Sequence, residues 1–272
     1  MGRYTGSRSF FGHFSTLPRA DKVNTESLVQ YLDEYLSIEG FPDYSHAYNG
    51  LQVEGPTEVR RVAVAVDSSE AVIREAASRD VDILIVHHGL FWDGLAKIVG
   101  PRFRKIRALI EGKVALYSAH LPLDAHAEVG NCAVLCRALG WSPEERFGTH
   151  QGHDIGWSCE VDYERDALVD HVGEVVGGPV RLIPGGPDHV YRVGLVTGGA
   201  ASLIPEASRL GLDAFITGEG AHHTYHQAME YGVNALYAGH YATETWGVRA
   251  LGIHLEERFD LSQEFVDMPT GL

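Results

Sequence analysis

A short pattern of residues occurs twice in this chain and ends both times on groups that can bind a metal ion. ALYSAHLPLD at 115–124 returns as ALYAGHYATE at 235–244. Each copy reads as an apolar strand that ends at a histidine, with an acid four positions later: His120 and Asp124, then His240 and Glu244. Imidazole and carboxylate together suit Zn, Fe, Mn or Ni. The repeat predicts a metal site built from both halves of the chain.

A histidine pair follows a third apolar strand. His87 and His88 come directly after DILIV, and Gly89 behind them would let the chain bend, so that both rings face one site. The carboxyl ends of parallel strands are where open α/β sheets bind ligands. Metal ligation is the favoured interpretation for both residues, and a hydrogen-bonded structural pair is the alternative.

Two acids complete the predicted ligand set, and each has an alternative role. Glu244 lies one helical turn after His240, so it could share a ligand face with that residue and bridge two metal ions. Alternatively, it is an acid favoured at a helix start by the macrodipole. Asp124 follows Pro122 and is predicted in a loop, either as a ligand or as an Asx turn or helix cap.

Further histidines are candidates for catalysis. His120 is favoured as a residue that orients Asp124 or moves a proton in catalysis, and the alternatives are a structural role and metal ligation. Among the three histidines that follow TGEG, His223 is expected to face the site together with Glu219, again as a catalytic candidate. His222 and His226 are expected on the surface.

Composition restricts the class of protein. A net charge of −15 over 272 residues argues against a nucleic-acid surface of any extent. No apolar run approaches the roughly 20 residues of a membrane-spanning helix, so no membrane partner is expected. Three cysteines without framework spacing favour a reducing cytoplasm. Residues 1–22 read as a flexible N-terminal extension, with a transit-type peptide as the alternative.

Strand and helix patterns alternate along both halves, which predicts βαβ units and mainly parallel sheets. Residues 59–89 align without a gap with 190–220, which favours an internal duplication over the chance likeness of any two βαβ units. The predicted fold is α/β, with two pseudo-symmetric lobes at 23–140 and 190–272 facing a central metal cleft. Residues 141–189 are expected to join the two lobes and to form a small β-sheet of their own.

Five ordered blocks resemble the Nif-three-like family, whose bacterial members are often labelled GTP cyclohydrolase I type 2 homologues. These blocks are NGLQVEG (49–55), HHGLFW (87–92), SAHLPLDAH with a following GN (118–131), TGE with His223, and GHYATE (239–244). The resemblance covers about residue 25 to the C-terminus. Two departures are Gly89, where many relatives have Pro, and Glu219, where many have Asp.

The resemblance implies two related α/β lobes, a hexameric ring and a dinuclear metal centre. The ligands that it implies here are His87, His88, Asp124, His240 and Glu244, which leaves His120 outside the ligand set. The chain is therefore predicted to use two divalent ions and a metal-bound water to hydrolyse a small molecule, such as a nucleotide or heterocycle, at a C–N bond. The alternative is a metal-binding scaffold or metal chaperone that acts through protein partners.

Overall fold

The computed structural model describes residues 22–92 and 96–272, so almost all of the predicted N-terminal extension lies outside the described residues. The helices in these ranges are α1 Thr25–Tyr35, α2 Glu70–Ser78, α3 Gly100–Gly112, α4 Leu121–Ala125, α5 Asn131–Ala138, α6 Arg165–Val176, α7 Ile204–Arg209, α8 His222–Tyr231 and α9 His240–Phe259. The strands are β1 Val23–Asn24, β2 Gly50–Val53, β3 Glu58–Val59, β4 Arg61–Asp67, β5 Ile83–His88, β6 Ala115–Ser118, β7 Arg146–His150, β8 His153–Glu164, β9 Arg181–Pro184, β10 His189–Leu195, β11 Ala214–Thr217, β12 Asn234–Tyr237 and β13 Ser262–Phe265. The predicted mixed α/β architecture is confirmed.

Two larger sheets carry the fold. The first has the order β13-β4-β5-β6-β2, and the second has the order β7-β8-β10-β11-β12-β9. The strands β4-β5-β6 and β10-β11-β12 form a parallel set in each sheet, and β13 adds a fourth parallel strand to the first set. The apolar runs in β4 and β5 are buried along nearly their whole length, as expected for strands that are covered on both faces.

The segment 141–189 does not form a sheet of its own, so that expectation is wrong. Its strands β7, β8 and β9 all belong to the second sheet, where β8 pairs with β10 and β9 pairs with β12. The physical reason is that β10 and β12 would otherwise leave unpaired backbone groups at their outer edges. The two antiparallel additions cover those edges and widen the second sheet.

Helices from each half of the chain pack on the opposite sheet. Val248 and Leu251 of α9 lie in a core with Val64 and Ile85 of the first sheet. In return, α5 places its buried residues in the core of the second sheet, including Cys132 and Cys136. Both cysteines are fully buried in this core. This exchange of helices holds the two sheets against each other.

Residues at the centre of α9 should contribute strongly to stability. Leu251 is fully buried, so Leu251→Ala removes packed methyl groups and leaves a cavity. We expect a loss of about 2–5 kcal/mol in the free energy of unfolding, measured by urea denaturation. Ile253→Ala is the matched control, since Ile253 lies on the same helix and is 48% exposed. Equal losses in the two variants would contradict this packing.

No helix in the described part of the chain is long and apolar enough to cross a bilayer.

Candidate metal centre

The structure brings the five predicted ligands to one place between the two sheets. His87 and His88 end β5, Asp124 lies in α4, and His240 and Glu244 occupy the first turns of α9. Asp124 was expected in a loop, and this expectation is wrong, because α4 is a short helix with Pro122 in its first turn. Proline is tolerated there, since the first N–H groups of a helix have no partner within it.

Glu244 lies at the centre of the group. Its Oε1 is 3.1 Å from Nε2 of His240 and 3.5 Å from Nε2 of His87. Its Oε2 is 3.3 Å from Nε2 of His88. One buried carboxylate therefore faces three imidazole nitrogens, with both of its oxygens directed at the cluster.

Asp124 approaches the same group from the other side. Its Oδ2 is 3.5 Å from Nε2 of His87, while its Oδ1 accepts hydrogen bonds from Asn131 Nδ2 at 2.8 Å and Thr197 Oγ1 at 3.1 Å. Asn131 also accepts a hydrogen bond from the backbone N–H of Gly247 at 2.6 Å, which ties α5 to α9. These contacts fix one oxygen of Asp124 and leave the other directed at the cluster.

Each of the four imidazoles near the cluster has its Nδ1 atom occupied by an oxygen. Nδ1 of His87 contacts the backbone oxygen of Ala119 at 3.0 Å. The other three contact carboxylates at 2.8 Å: His88 with Asp67, His120 with Asp43 and His240 with Glu219. Partners of this kind set the tautomer of metal-ligating histidines and leave the Nε2 lone pair free. The arrangement is therefore prepared for ligation through Nε2.

Two buried atoms in the cluster have no hydrogen-bond partner among the described residues, namely His87 Nε2 and Glu244 Oε2. An unsatisfied buried polar atom is costly, so such atoms call for an explanation. Both are good metal ligands, and both lie at the point where the predicted ligands meet. A cation would satisfy them, and the residues present therefore fit a metal.

The electrostatics of the cluster favour positive charge. Burial disfavours a charge on His87, but the carboxylates of Asp124 and Glu244 outweigh it and raise the pKa of this imidazole to about 10. Hydrogen bonding to Glu244 raises the pKa of His240 to about 9. Burial would also raise the pKa of the Glu244 carboxyl, yet the imidazoles of His87 and His240 hold it well below its usual range. Protons or metal ions can supply the positive charge.

His120 lies beside the cluster and is held by the loop before β2. Asp43 Oδ1 contacts its Nδ1, and Asn49 Oδ1 accepts a hydrogen bond from its backbone N–H at 2.8 Å. Asn49 also donates to Asp43 Oδ2 at 2.9 Å. Ring nitrogens of His87, His88 and His120 lie within 4.8 Å of one another, and so do the ligand atoms of His88, His240 and Glu244. Burial lowers the pKa of His120, although Asp43 opposes this effect.

His223 is the predicted site residue that the structure does not bring into the cluster. It lies exposed in the first turn of α8 and is absent from the residues that line the cleft. Glu219, its expected companion, does reach the site through His240. The chain turns between them, because α8 begins at His222 and directs its buried face, with Thr224 and Ala228, toward the second sheet.

Gly198 is not predicted as a site residue from the sequence, although the site depends on it. This residue follows β10 and adopts a φ of +69°, a conformation that favours glycine. A Cβ atom at this position would overlap the carboxylate of Glu244. Glycine therefore lets the second-sheet loop approach the cluster, and its N–H donates to Thr243 Oγ1 at 3.1 Å.

A cleft of about 360 Å³ opens over the cluster. His88, His120, Asp124, His240 and Glu244 all line it. Other parts of the wall come from the loop after β10 and from β7, so both sheets contribute to it. Four of the five candidate ligands are therefore accessible to a small molecule, while His87 is fully buried.

Comparison with known proteins identifies the family. A sequence model described as Duf34/NIF3 (NGG1p interacting factor 3) matches residues 23–270. The chain belongs to the DUF34/NIF3 family. A relative from Deinococcus radiodurans, named GTP cyclohydrolase 1 type 2 homolog, is 42% identical over 253 residues, which cover 92% of this chain and 95% of the relative. An Archaeoglobus fulgidus protein of the same name is 42% identical over 250 residues, covering 92% and 100% of the two chains. The resemblance inferred from the sequence blocks is thereby confirmed.

Solved structures of DUF34/NIF3 relatives share the fold. The protein TTHA1606 from Thermus thermophilus is 44% identical and superposes with a TM-score of 0.82. A structure described as protein ybgI of unknown function is 37% identical, with a TM-score of 0.86. Each comparison covers 92% of this chain and 100% of the other.

Proposed function

We propose that this DUF34/NIF3 protein is a metal-dependent hydrolase that acts on a small molecule at a dinuclear centre. The ligands would be His87, His88, Asp124, His240 and Glu244. The single observation that carries the proposal is the convergence of three imidazole Nε2 atoms on the two oxygens of one buried carboxylate. Zn, Fe, Mn and Ni all accept this donor set, so the identity of the metal is left to measurement.

Two ions are favoured over one by the number and arrangement of donors. Candidate ligand atoms form two overlapping groups that share His88, and Glu244 offers a separate oxygen to either side. Asp124 adds a further carboxylate beside His87. A single four-coordinate ion could not engage all five side chains and still keep a position open for chemistry.

The chemistry supplied by the ions would be the activation of water, whose pKa falls toward neutrality when divalent metal binds it. The protein supplies the remaining steps. His120 would accept and return a proton through Nε2, because Asp43 occupies its Nδ1. The cleft would hold the substrate next to the cluster and limit its size.

The substrate class follows in part from the relatives. Their name refers to GTP cyclohydrolase, an activity that opens a ring at a C–N bond. We propose C–N bond hydrolysis of a nucleotide or heterocycle for this chain. The related two-lobe arrangement, the origin by duplication, the boundaries at 140 and 190, the cytoplasmic location and a hexameric assembly are parts of the same proposal. The lobes, the duplication and the boundaries rest on the matching order of β4-β5-β6 and β10-β11-β12. The hexamer rests on the family likeness, and the cytoplasmic location rests on the low cysteine count.

A compound panel tests the proposal. Protein loaded in turn with Zn, Mn, Fe or Ni is incubated with nucleotides, nucleosides and cyclic amides, and products are followed by mass spectrometry. We expect turnover that chelation removes and that His88→Ala abolishes. His222→Ala is the matched control, since His222 is exposed on α8.

Turnover that persists in His88→Ala would contradict the hydrolase assignment. The family description also records an interaction with another protein. Protein that binds metal, hydrolyses nothing on the panel and captures a partner only when loaded would instead favour the scaffold or metal-chaperone function.

Asp43→Asn tests whether His120 transfers protons or binds metal. The substitution keeps the size of the side chain but removes the charge that fixes the His120 tautomer. We expect kcat to fall by about 10- to 100-fold, with little change in KM and no change in metal content. Asp33→Asn is the control, because Asp33 also accepts a short hydrogen bond, from Tyr117, away from the cleft. Metal loss in proportion to the activity loss would show instead that His120 is a ligand.

A further inference from the structure

A continuous run of aromatic rings leads from the mouth of the cleft to the candidate metal cluster. The ring of His150 lies 4.9 Å from that of Tyr44, which lies 6.3 Å from Trp92. Trp92 in turn lies 4.7 Å from His120. Of these four residues, only His120 has a role in the proposed chemistry, so the other three rings need a separate explanation.

The rings of Tyr44, Trp92 and His150 are partly exposed to solvent, whereas aromatic rings that serve only to pack a core are buried. Tyr44 is 53% exposed, and Trp92 and His150 are partly exposed, although all three line the cleft. Aromatic side chains in a pocket are the usual means of binding apolar or planar parts of a ligand. Exposed ring surface beside a candidate active site therefore points to a ligand that would cover it.

The rest of the cleft wall leaves space for a flat group. The wall contributed by the second half of the chain includes three small residues, Gly199, Ala200 and Ser202, beside the larger Val196 and Leu203. The volume of about 360 Å³ is at the lower end of the range for small-molecule sites. A planar ring placed against Trp92 would lie next to His120 and His88, whose ring centroids are 4.7 and 6.1 Å from that of Trp92.

We propose that Trp92 is a stacking platform for a planar heteroaromatic ring of the nucleobase type. Tyr44 and His150 would border that ring rather than stack on it, because the plane of Tyr44 is tilted by 46° from Trp92 and by 54° from His150. The proposal rests on the hydrolase function above and deepens it, because it assigns the ring of the substrate to a particular wall of the cleft. The bond to be hydrolysed would then face the cluster. Stacking on an aromatic side chain tolerates any base, since every base presents a π face.

Binding of matched nucleosides tests this proposal without any need for turnover. Uridine and 5,6-dihydrouridine differ by two hydrogen atoms, but only uridine has a planar aromatic base. Affinities for both, and for guanosine, are measured by equilibrium dialysis with metal-loaded and metal-free protein. We expect guanosine to bind best and uridine to bind several times more tightly than dihydrouridine.

Substitutions at Trp92 should remove that preference. Trp92→Ala is expected to weaken guanosine binding by about 10-fold and to abolish the difference between uridine and dihydrouridine. Trp92→Phe should retain most of the binding, whereas Trp92→Leu, which keeps apolar bulk without a π face, should not. Tyr225→Ala is the control, since Tyr225 is an exposed aromatic residue on α8 outside the cleft. Unfolding temperature and metal content establish that each variant is folded.

Two results would overturn the platform: no guanosine binding by wild-type protein, or guanosine binding that Trp92→Ala and Trp92→Leu leave unchanged. If either result is obtained with protein that still binds two metal ions and hydrolyses a compound on the panel, only the stacking platform is contradicted. Guanosine binding through Trp92 in a protein that binds no metal contradicts the hydrolase proposal alone.

Discussion

Glu244→Gln is expected to cause the largest loss of metal of any conservative substitution in this chain. The change keeps the shape of the side chain but removes the charge that faces Nε2 of His87, His88 and His240. An amide has one acceptor oxygen and cannot bridge two cations as a carboxylate does. We expect metal affinity to fall by more than about 100-fold, beyond the usual effect of losing an outer hydrogen-bond partner. Titration calorimetry and elemental analysis of dialysed protein measure both affinity and stoichiometry.

Glu219→Gln is the matched control for that substitution. Glu219 contacts the other nitrogen of His240 and is 56% exposed at its side chain. We expect its loss to cost no more than about 10- to 100-fold in affinity, because it orients a ligand rather than being one. If Glu244→Gln bound two ions as tightly as wild-type protein, the central position assigned to Glu244 would be wrong.

Metal binding should release about two protons at pH 7.5, because ligating imidazoles must be neutral. In metal-free protein the pKa of His87 is raised to about 10 and that of His240 to about 9, so both carry a proton at this pH. Apparent metal affinity should therefore rise steeply with pH and level off above about pH 9–10. Calorimetry in buffers of different ionisation enthalpy counts the released protons.

The same pKa values set the stability of metal-free protein. Protonated His87 stabilises the fold because its pKa when folded, about 10, lies above the ordinary value of 6.5. This contribution is complete below pH 6.5 and is lost as pH rises through 10, since unfolding then releases the proton. Metal-loaded protein should lack this decline. Metal binding without proton release, or metal-free stability that rises from pH 7 to pH 10, would contradict the charge distribution of the cluster.

Local patterns in the sequence were sufficient to anticipate which groups meet. His87 and His88 follow a run that is typical of a buried strand, and His240 with Glu244 lies one turn apart at the start of a helix. The ends of parallel strands converge in any such sheet. The strand-end rule and the one-turn helix spacing together predict that residues as far apart in sequence as 87 and 244 share one site, without knowledge of the tertiary structure.

The carboxylates that hold the imidazoles could not be anticipated in the same way. Asp43 and Asp67 contact His120 and His88 across 77 and 21 positions, and neither lies at a spacing that any local rule connects to a histidine. Asn49 and Asn131 were visible only as members of the family blocks. Such partners depend on how loops pack, which the hydrophobic pattern does not specify.

The errors have similar physical origins. Residues 141–189 contained a recognisable strand, but whether a strand pairs within its own segment or extends a distant sheet depends on which edges are free. His223 was predicted in the site from its closeness in sequence to Glu219, although the turn before α8 directs it to solvent. Asp124 was assigned to a loop because Pro122 precedes it, although proline also begins helices.

Anomalous scattering from crystals of metal-loaded protein tests the central claim most directly. Data collected on either side of the absorption edge of the bound metal locate each ion independently of the ligand positions. We predict two peaks between the sheets, within bonding distance of His87, His88, Asp124, His240 and Glu244, with the Glu244 carboxylate between them. A single peak, or peaks only at surface residues away from Glu244, would contradict the dinuclear centre.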